Sequence, residues 1–500
     1  MRYWLAGTYL LIVIFFFVES LLHPILWLSF VVIGPLTALA AYDFFQTHNN
    51  VRRNYPLLGT INELIKRERH IPQEIVLQKS WEGRPFSLLQ QRLVKKRADD
   101  ELTSEPFGTE MDYGAIGHDW LVHSLYPVNE VKDNFRVRVG GPQCRQHYNA
   151  SILNVAAMSY GSISSNAVRA LCKAAKKENF AVNTGEGGIS DHHWEPGCDL
   201  IWQIGTAYFG CRTQDGRFNS DVFAEQALRP TIKMIEIKIS QGAKPGFGAI
   251  LPASKNTREI ANYRQIEPHN DVHSPPNHSE FQTHEELLGF VQRLRDLSDG
   301  KPIGIKLCLG QQDEFKELCR VMQQAEIVPD FIAIAGGEGG SGAAALDSIH
   351  HVGSPTEESL VFVNKELMEV GLRDHITLFV AGKVISGFDT VRYLALGADA
   401  CYSARGMMFA LGCVQSLKCN KNTCPTGITT MNPARVAGLV VNDKAMKVAN
   451  YHRNTIEGVR SIMAAAGVSD RSGLNCSLIQ RRIDEQTILT LEEVYNQNGI

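Results

Sequence analysis

The chain has 500 residues, of which 44% are hydrophobic and 21% charged, enough apolar material for one large folded domain with additions. A formal net charge of −3, without a cluster of basic and aromatic residues, gives no support for nucleic-acid binding. The 11 cysteines are an odd number, and most of them stand alone in apolar surroundings. This usage is typical of a reducing compartment and excludes a disulfide scaffold.

Two strongly apolar segments open the chain, Trp4–Val18 and Leu21–Ala41, separated by Glu19 and Ser20. A membrane-spanning helix needs about 20 apolar residues. The second segment reaches this length and the first is shorter, so a helical hairpin and a single span with an interfacial first helix are both compatible. A cleaved signal peptide is the alternative, since "ALA" at 38–40 resembles a cleavage site, but the apolar region is too long for one.

Basic residues follow the apolar region, namely Arg52, Arg53, Lys66, Arg67 and Arg69. Positively charged flanks remain on the cytoplasmic side of a membrane. The sequence therefore predicts a membrane-anchored protein whose main body is cytoplasmic. We assign the transmembrane anchor to residues 1–42 and a helical or irregular N-terminal extension to residues 43–150.

From residue 151 onward, short apolar runs rich in β-branched residues alternate with helical stretches. The runs are 152–159, 180–185, 200–205, 234–240, 303–309, 331–337, 376–382 and 400–406. Eight strands with intervening helices are what a (β/α)8 barrel requires. A doubly wound open sheet is the rival, but eight units over about 260 residues fit closure better. We therefore predict an α/β chain with a (β/α)8 TIM barrel in residues 151–455 and a tail in 456–500.

Polar residues gather at the C-terminal ends of these strands, where barrel enzymes carry their active sites. They are Ser159, Glu186, Lys238, Gln241, Lys244, Lys306, Glu338 and Lys383. Glycine-rich turns follow the sixth and seventh strands, "GGEGGSGAAA" at 336–345 and "AGKVISG" at 381–387. Exposed backbone N–H groups in such turns bind phosphate, which predicts a phosphorylated cofactor such as FMN. Ordinary turn glycines are the alternative.

The stretch "EIKISQGAKPGFGAILP" at 236–252 places Lys238, Gln241 and Lys244 close together after a strand. Such a group suits a carboxylate substrate, with a solvated surface loop as the alternative. Glu186, between glycines in "NTGEGG", is placed to orient an amine or imine nitrogen. Lys306 interrupts the apolar strand "IGIKLCL", where a lysine is costly unless paired. Its partner is either the N1–C2=O edge of a flavin or a core carboxylate.

Three cysteines, Cys413, Cys419 and Cys424, fall within a segment of twelve residues with the spacing C-x5-C-x4-C. Thiolates ligate iron–sulfur clusters or zinc. Structural zinc requires four ligands, and His452 is the nearest downstream histidine. Three thiols fit a cluster that lacks one iron corner better than they fit closed tetrahedral zinc, and thiols without metal are the remaining alternative. We assign this iron–sulfur segment to residues 407–430.

Six motifs together resemble the FMN-binding synthase domain of glutamate synthases, in the same order and approximate spacing. They are "AAMSYGSIS", "NTGEGG", "KISQGAKPGFGAILP", "GGEGGSGAAA", "AGKVISG" and "ALGCVQSLKCNKNTCPTG". The front stretches "VRRNYPLLG" and "PFGTEMDYGAIGHDWLVHSLYP" further resemble the short, membrane-anchored FMN-binding glutamate synthase family proteins. With them the resemblance covers nearly the whole chain.

The resemblance implies a (β/α)8 barrel that holds FMN and a [3Fe-4S] cluster. It also implies reductive amination, in which 2-oxoglutarate and ammonia form 2-iminoglutarate and reduced FMN converts it to glutamate. Electrons would come from a ferredoxin or a reductase subunit. By position, Cys413, Cys419 and Cys424 match the cluster ligands, and Glu186, Gln241 and Lys244 match the residues that grip 2-oxoglutarate. The FMN-contacting positions are Ser159, Lys306, Gly339, Gly340, Ser341, Gly382 and Lys383.

The chain departs from the large family members at both ends. An anchor and a polar segment stand where those enzymes carry a glutaminase domain, and the C-terminal β-helix is missing, so we expect no glutamine hydrolysis. Ala335 stands where relatives often have aspartate, and Ser341 where threonine is common. A flavin and iron–sulfur oxidoreductase for another imine or amino acid remains an alternative. So does a membrane-linked electron-transfer subunit, which would have no need of Gln241 and Lys244.

Overall fold

The computed structural model describes residues 2–67, 83–242 and 248–497. Lys244 and Arg69, both singled out above, therefore lie outside the described residues. The strands, in chain order, are β1 (Asp119–Leu121), β2 (Arg136–Val139), β3 (Tyr148–Ser151), β4 (Leu153–Val155), β5 (Val182–Asn183), β6 (Leu200–Ile204), β7 (Ile232–Lys238), β8 (Ile250–Leu251), β9 (Val272–His273), β10 (Ile303–Leu307), β11 (Phe331–Ala335), β12 (Thr377–Ala381), β13 (Ala400–Ser403), β14 (Ile479–Arg482) and β15 (Ile488–Thr490).

The helices that precede the barrel are α1 (Arg2–Leu22), α2 (Phe30–Phe45), α3 (Asn50–Asn54), α4 (Leu58–Arg67) and α5 (Leu88–Ala98). Those of the barrel and its tail are α6 (Ser165–Glu178), α7 (Asp191–Trp194), α8 (Ser220–Ala227), α9 (Arg258–Arg264), α10 (His284–Leu297), α11 (Gln312–Ala325), α12 (Leu346–His351), α13 (Thr356–Glu369), α14 (Gly387–Ala395), α15 (Arg405–Ala410), α16 (Pro433–Val436), α17 (Val441–Ala465) and α18 (Leu491–Gln497).

Eight parallel strands close into a barrel in the order β4, β5, β6, β7, β10, β11, β12, β13, and β13 pairs with β4. They coincide with the eight apolar runs, so the predicted (β/α)8 barrel is confirmed. Along each strand, side chains point alternately into the barrel and toward the surrounding helices, as the pleat of a strand requires. In β7, Ile235 and Ile237 join the layer between strands and helices, whereas Met234 packs inside the barrel. Large aromatic side chains fill the outer layer, as where Trp202 stacks on Phe223 of α8 at 5.1 Å between ring centroids.

A β-hairpin closes the N-terminal end of the barrel. Strands β2 and β3 pair antiparallel, and Val139 and Tyr148 pack against Phe331 and Phe379 of the barrel interior. The carboxylate of Asp330 accepts hydrogen bonds from the backbone N–H groups of the hairpin turn and of β10, at 2.8 Å each. Because this end is sealed, access to the barrel interior is from the C-terminal ends of the strands.

The two N-terminal apolar helices form an antiparallel hairpin. Helix α1 runs through Glu19 and Ser20 and ends just before Pro24, which has no N–H to continue it. The Tyr9 hydroxyl lies 3.2 Å from the Thr37 hydroxyl and thereby joins α1 to α2. Within Pro24–Phe45, a stretch of 18 residues has a mean hydropathy of 2.0 and contains no buried residue; by length and composition the segment is able to cross a membrane.

The C-terminal tail packs back onto the barrel. Strands β14 and β15 extend a small sheet that begins with β1. Asp119 of β1 forms ion pairs with Arg392 of α14 at 2.9 Å and with Arg481 of β14 at 2.7 Å. Both arginines also pair with Glu357 of α13. This network fixes the tail to two barrel helices, and helix α17 runs without interruption past residue 455 to Ala465.

Candidate active site

A cavity that is partly open to solvent lies at the C-terminal mouth of the barrel. Its walls come from the loops after β4, β5, β7, β11 and β13 and from the cysteine segment. The predicted site residues that line it are Ser159, Glu186, Gln241, Gly340, Ser341 and Cys419. The sequence therefore located the cavity, because strand ends that are far apart in the chain meet at one end of a closed barrel.

Three of the predicted FMN-contacting residues stand behind this lining. The Gly339 N–H donates to the carbonyl of Gly336 at 3.1 Å. The Gly382 carbonyl accepts from the Tyr393 hydroxyl at 2.8 Å, and a Cβ at Gly382 would lie 2.5 Å from Thr356, which explains the glycine. Lys383 is exposed, with its ammonium 5.9 Å from the centroid of the Phe86 ring. The loop after β12, the seventh barrel strand, therefore packs behind the residues that line the cavity.

Glu186 is held at the cavity wall by an ion pair. Its Oε1 lies 2.5 Å from Nζ of Lys238, and both side chains are largely buried. The backbone carbonyl of Lys238 lies 2.9 Å from Nε2 of His278, which fixes the end of β7. A Cβ at residue 205 would lie 2.7 Å from Cβ of Glu186, so only Gly205 leaves room for this carboxylate. The geometry gives Glu186 a fixed carboxylate that lines the cavity.

A polar cluster occupies the barrel interior beneath the cavity. The fully buried Glu236 accepts hydrogen bonds from Asn183 at 2.9 Å and from Gln203 at 2.5 Å. Its second oxygen, Oε2, has no partner among the described residues. Lys306 is 5% exposed, and burial holds the pKa of its ammonium below the ordinary lysine value, against the attraction of Glu236 and Glu186. Glu236 and Glu186 both bind other side chains. A flavin edge and a core carboxylate therefore both remain possible partners of Lys306.

Three cations of the cavity lining were not found by sequence reasoning: Arg264, Lys255 and Arg405. Arg264 is buried, donates from Nη2 to the Tyr160 carbonyl at 3.1 Å, and has an Nε without a partner in the described part of the chain. Burial lowers the pKa of Arg264 to about 10. The amphipathic stretch "TREIANYR" does not indicate that Arg264 is buried, because a buried arginine on a helix cannot be distinguished from an exposed one in sequence.

Lys255 joins the cavity to the cysteine segment. Its Nζ donates to the backbone carbonyl of Ser162 at 2.9 Å and to that of Cys419 at 3.2 Å. Burial lowers the pKa of Lys255 to about 8, against the attraction of the thiols of Cys419 and Cys424. One buried cation therefore contacts the loop after β4 and the middle cysteine together.

The three clustered cysteines lie in different environments. Cys419 lines the cavity, whereas burial raises the pKa of Cys413 to about 11, with a smaller contribution from the two neighbouring thiols. Burial also opposes ionisation of Cys424, but hydrogen bonds from Thr426 and Thr429 outweigh it and lower the pKa of that thiol. Across the described ranges, no three His, Cys, Asp or Glu side chains are grouped so as to hold a metal ion. The ligand assignment stays a prediction.

His452, the candidate fourth ligand of a zinc site, is occupied elsewhere. Its Nε2 lies 3.0 Å from the Leu153 carbonyl and 3.2 Å from the Ser151 hydroxyl, at the N-terminal end of β4. Its ring stacks on Phe180 at 4.2 Å between centroids. This end of the barrel is opposite the cavity, so His452 does not join the cysteines.

The sequence pattern described as the conserved region in glutamate synthase matches residues 133–469. The glutamate synthase large subunit-like protein YerD of Bacillus subtilis is 31% identical over 498 residues, which cover 91% of this chain and 94% of YerD. The chain belongs to the glutamate synthase family. It is accordingly an enzyme of the oxidoreductase class.

Two further members of the family each match just under two thirds of this chain. The archaeal glutamate synthase [NADPH] of Methanocaldococcus jannaschii is 32% identical over 321 residues, 64% of this chain and 60% of that enzyme. Ferredoxin-dependent glutamate synthase 1 of Arabidopsis thaliana is 31% identical over 323 residues, which cover 62% of this chain and 19% of that protein. Residues 1–132 of this chain precede the conserved family region.

Proposed function

We propose that this chain is a membrane-anchored, FMN-dependent oxidoreductase that reductively aminates 2-oxoglutarate to glutamate. Electrons would reach FMN through a [3Fe-4S] cluster held by Cys413, Cys419 and Cys424. One observation carries the proposal. A single cavity is lined by the substrate candidates Glu186 and Gln241, by the glycine-rich loop at Gly340 and by Cys419, so all three predicted functions share one space.

The residues around the cavity fit FMN. Lys306 offers a buried cation in the barrel interior and would hold the N1–C2=O edge of the flavin. Gly340, Ser341 and Arg405 line the cavity wall and would hold the phosphate; a Cβ at Gly340 would lie 3.5 Å from Nη2 of Arg405. Ser159 and Ser162 both lie on the loop after β4, and their hydroxyls hydrogen-bond to each other at 2.6 Å. When bound, FMN supplies hydride transfer to an imine carbon.

The charges of the cavity fit a dicarboxylate substrate. Arg264 has an unpartnered N–H, Gln241 offers an amide, and Lys244 is predicted to supply a further cation. Charge-assisted hydrogen bonds of this kind are about twice as strong as neutral ones. Glu186 would accept a hydrogen bond from the ammonia or imine nitrogen, and its ion pair with Lys238 holds the carboxylate in place.

The cysteine segment fits an electron-transfer site. It offers three thiols that influence one another electrostatically, and thiolates are the usual ligands of iron–sulfur clusters. When bound, a [3Fe-4S] cluster passes single electrons. A ferredoxin or a reductase subunit would be the donor, in line with the ferredoxin and NADPH dependence named for two relatives. Helices α1 and α2 would anchor the chain in a membrane, with the barrel in the cytoplasm.

Amination of a different 2-oxo acid is a second candidate. Ala249, Ile250, Leu251 and Met408 form an apolar part of the cavity wall, and Ile250 remains 45% exposed. A 2-oxo acid with a branched apolar side chain would cover this surface, and 2-oxoglutarate would not.

The test uses the detergent-solubilised full-length protein under anaerobic conditions, with its flavin reduced chemically. We expect 2-oxoglutarate plus ammonium to reoxidise the flavin, and Arg264→Met and Gln241→Leu to lower kcat/KM for this reaction by about 10- to 100-fold. Arg320→Met, at an exposed arginine that pairs with Glu317 on its own helix, is the matched control and should leave the rate unchanged.

Reoxidation by dioxygen should stay equal in all variants, because it needs no substrate pocket. If a branched-chain 2-oxo acid with ammonium reoxidises the flavin and 2-oxoglutarate does not, the second candidate function is correct and glutamate synthesis is wrong. If no 2-oxo acid reoxidises the flavin, the chain is an electron-transfer subunit and the glutamate assignment fails. Absorbance and EPR spectra of the same sample determine the FMN and cluster content separately.

A further inference from the structure

Helix α3 connects the apolar N-terminal helices to the barrel and precedes the conserved family region. The Asn49 side chain begins the helix by accepting hydrogen bonds from the N–H groups of Val51 and Arg52. Asn50 and Asn54, four residues apart, lie on the same face of α3, and each is 2% exposed. Two buried asparagines on a five-residue helix require hydrogen-bond partners. Those partners lie in the cysteine segment, residues 407–430, and just after it.

Both side-chain amides donate to the backbone around the cysteines. Nδ2 of Asn50 donates to the carbonyl of Leu411 at 3.0 Å and to that of Thr426 at 3.1 Å. Nδ2 of Asn54 donates to the carbonyl of Pro425 at 3.0 Å and to that of Arg435 at 3.2 Å. Leu411 precedes Cys413 by two residues, and Pro425 and Thr426 directly follow Cys424. One face of α3 therefore holds both ends of the segment that carries the three cysteines.

The backbone approaches α3 closely at these points. A Cβ at Gly412 would lie 3.4 Å from Nδ2 of Asn50, and a Cβ at Gly438 would overlap the Asn54 amide. Nζ of Lys444 donates to the carbonyl of His48 at 2.7 Å and secures the residues just before α3. A side chain at residue 438 would push α3 away, whereas a Cβ at residue 412 would meet the Asn50 amide at an ordinary contact distance.

Helix α3 is also fixed to the apolar helices. Asp43, fully buried at the end of α2, accepts hydrogen bonds from Nε of Arg52 at 2.8 Å and from the N–H of Leu57 at 3.0 Å. The Thr60 hydroxyl donates to the same carboxylate. The end of the apolar hairpin and α3 therefore form one hydrogen-bonded unit, and this unit contacts the cysteine segment.

We propose that Asn50 and Asn54 are positioning residues for the iron–sulfur site. Helix α3 sets the separation of Cys413 and Cys424, so that the N-terminal extension completes a cluster site whose ligands belong to the barrel domain. A multi-iron cluster requires its three thiolates at fixed separations, and the intervening residues Leu417, Lys418 and Lys421 are exposed and give little support. The proposal rests on the cluster of the proposed function and is independent of the substrate.

The test compares Asn50→Asp and Asn54→Asp with the wild-type full-length chain. Aspartate keeps the shape of asparagine but replaces the donor with a carboxylate oxygen that repels the carbonyls. Asn475→Asp is the matched control, because it also exchanges an amide donor, here to the Gly473 carbonyl at 3.2 Å, for a carboxylate oxygen, but at an exposed residue outside the cysteine segment; the capping of a short tail helix by its side-chain oxygen is kept. Should an aspartate variant fail to fold, Asn50→Ala and Asn54→Ala remove the donor without adding charge.

We expect the Asn50 and Asn54 variants to contain less iron and acid-labile sulfide per chain, with a shifted EPR spectrum and a shifted reduction potential of the remaining cluster. Their FMN content should remain close to that of the wild type. In cluster-free protein, Cys413 and Cys424 should be alkylated about tenfold faster, the factor expected for the loss of one such hydrogen bond. Cys476, a thiol of the tail, is the internal reference in the same mass spectra.

The outcomes separate two failures. Wild-type protein without iron and sulfide would contradict the cluster, and with it the proposed function. Wild-type protein with a cluster, together with Asn50 and Asn54 variants of equal iron content, potential and alkylation rate, would overturn the positioning role alone. Equal losses in the Asn475 control would overturn it as well.

Discussion

The two halves of the barrel interior differ in chemistry although one alternating pattern builds both. Strands β5, β6, β7 and β10 point polar residues inward, and we call these the polar half: Asn183, Gln203, Glu236, Lys238 and Lys306. Strands β11, β12 and β13 supply the apolar half: Phe331, Ala333, Phe379, Ala381 and Tyr402. A buried charge costs stability that an apolar residue would not, so the polar half indicates where the chain gives up stability for function.

The apolar half is held by ring contacts. The centroids of Phe331 and Phe379 lie 5.6 Å apart in an edge-to-face arrangement, and Phe379 stacks on Tyr402 at 4.9 Å. Such pairs add about 0.5–1.5 kcal/mol each beyond the burial of their area. Phe379 takes part in both ring contacts, so we expect its side chain to contribute more to the free energy of unfolding than the other residues of the apolar half.

The largest effect is therefore expected from Phe379→Ala. The substitution removes both ring contacts and leaves a cavity beside the sealed end of the barrel, so the free energy of unfolding should fall by about 3–5 kcal/mol. Urea unfolding of the flavin-free protein measures the change, and Phe379→Leu, which keeps most of the volume, should cost less. A loss below about 1 kcal/mol for the alanine variant would show that the apolar half does not carry the stability.

The strands of both halves could be predicted from sequence, because a period of two and glycine-rich strand ends are local features. The same pattern flagged Lys306, since a lysine at an inward position of an apolar strand stands out. Arg264 and Lys255 could not be found in this way, because their burial depends on how α9 and the loop before it cross the mouth of the barrel. Local patterns therefore locate the strand ends but not the helices that cover them.

The contacts of α3 were equally hidden from sequence reasoning. Asn50 and Asn54 are separated from their partners in the cysteine segment by more than 350 residues. Neither asparagine differs by type from the many asparagines that cap helices or lie at the surface. The end of α1 is also not set by polarity: Glu19 and Ser20 interrupt the apolar sequence within the helix, but only Pro24 interrupts the backbone hydrogen bonds.

Lys306→Met probes the polar half. Methionine replaces a buried ammonium with an apolar chain of similar length, while Glu236 keeps the hydrogen bonds from Asn183 and Gln203. The free energy of unfolding of the flavin-free protein should stay equal or rise, because the cost of burying the ammonium outweighs its attraction to Glu236 and Glu186. The dissociation constant of FMN should rise about tenfold, as measured by fluorescence titration.

Lys301→Met is the matched control, since this buried lysine donates to the carbonyls of Ala227 and Arg229 at 2.6 and 2.8 Å. Its loss leaves the Ala227 carbonyl unpaired, while the Arg229 carbonyl keeps the N–H of Ile232 at 3.1 Å, and should destabilise the protein by about 1–3 kcal/mol without an effect on FMN. If both methionine variants destabilise equally, Lys306 is a structural residue and the polar half loses its functional meaning.

The stability gain of Lys306→Met should also depend on pH. Burial lowers the pKa of Lys306 in the folded state, so between that pKa and the unfolded value of 10.5 the unfolded chain binds more protons. Wild-type stability therefore rises with pH across this window. The advantage of the methionine variant should be complete below the folded pKa and shrink as the pH approaches 10.5, whereas the deficit of Phe379→Ala should stay constant. A gain that grows with pH would contradict the assigned direction of the pKa.

The smallest effect is expected from Tyr402→Phe, at the boundary between the two halves. The Tyr402 hydroxyl points toward the polar half, and burial together with the charge of Glu236 raises the pKa of the phenol well above its ordinary value. In the described residues this hydroxyl makes no hydrogen bond of good geometry. Removing an unpaired buried hydroxyl costs nothing, so the free energy of unfolding should change by less than about 1 kcal/mol. A loss of about 2 kcal/mol would instead show that Tyr402 hydrogen-bonds to Glu236, and would extend the polar half across to β13.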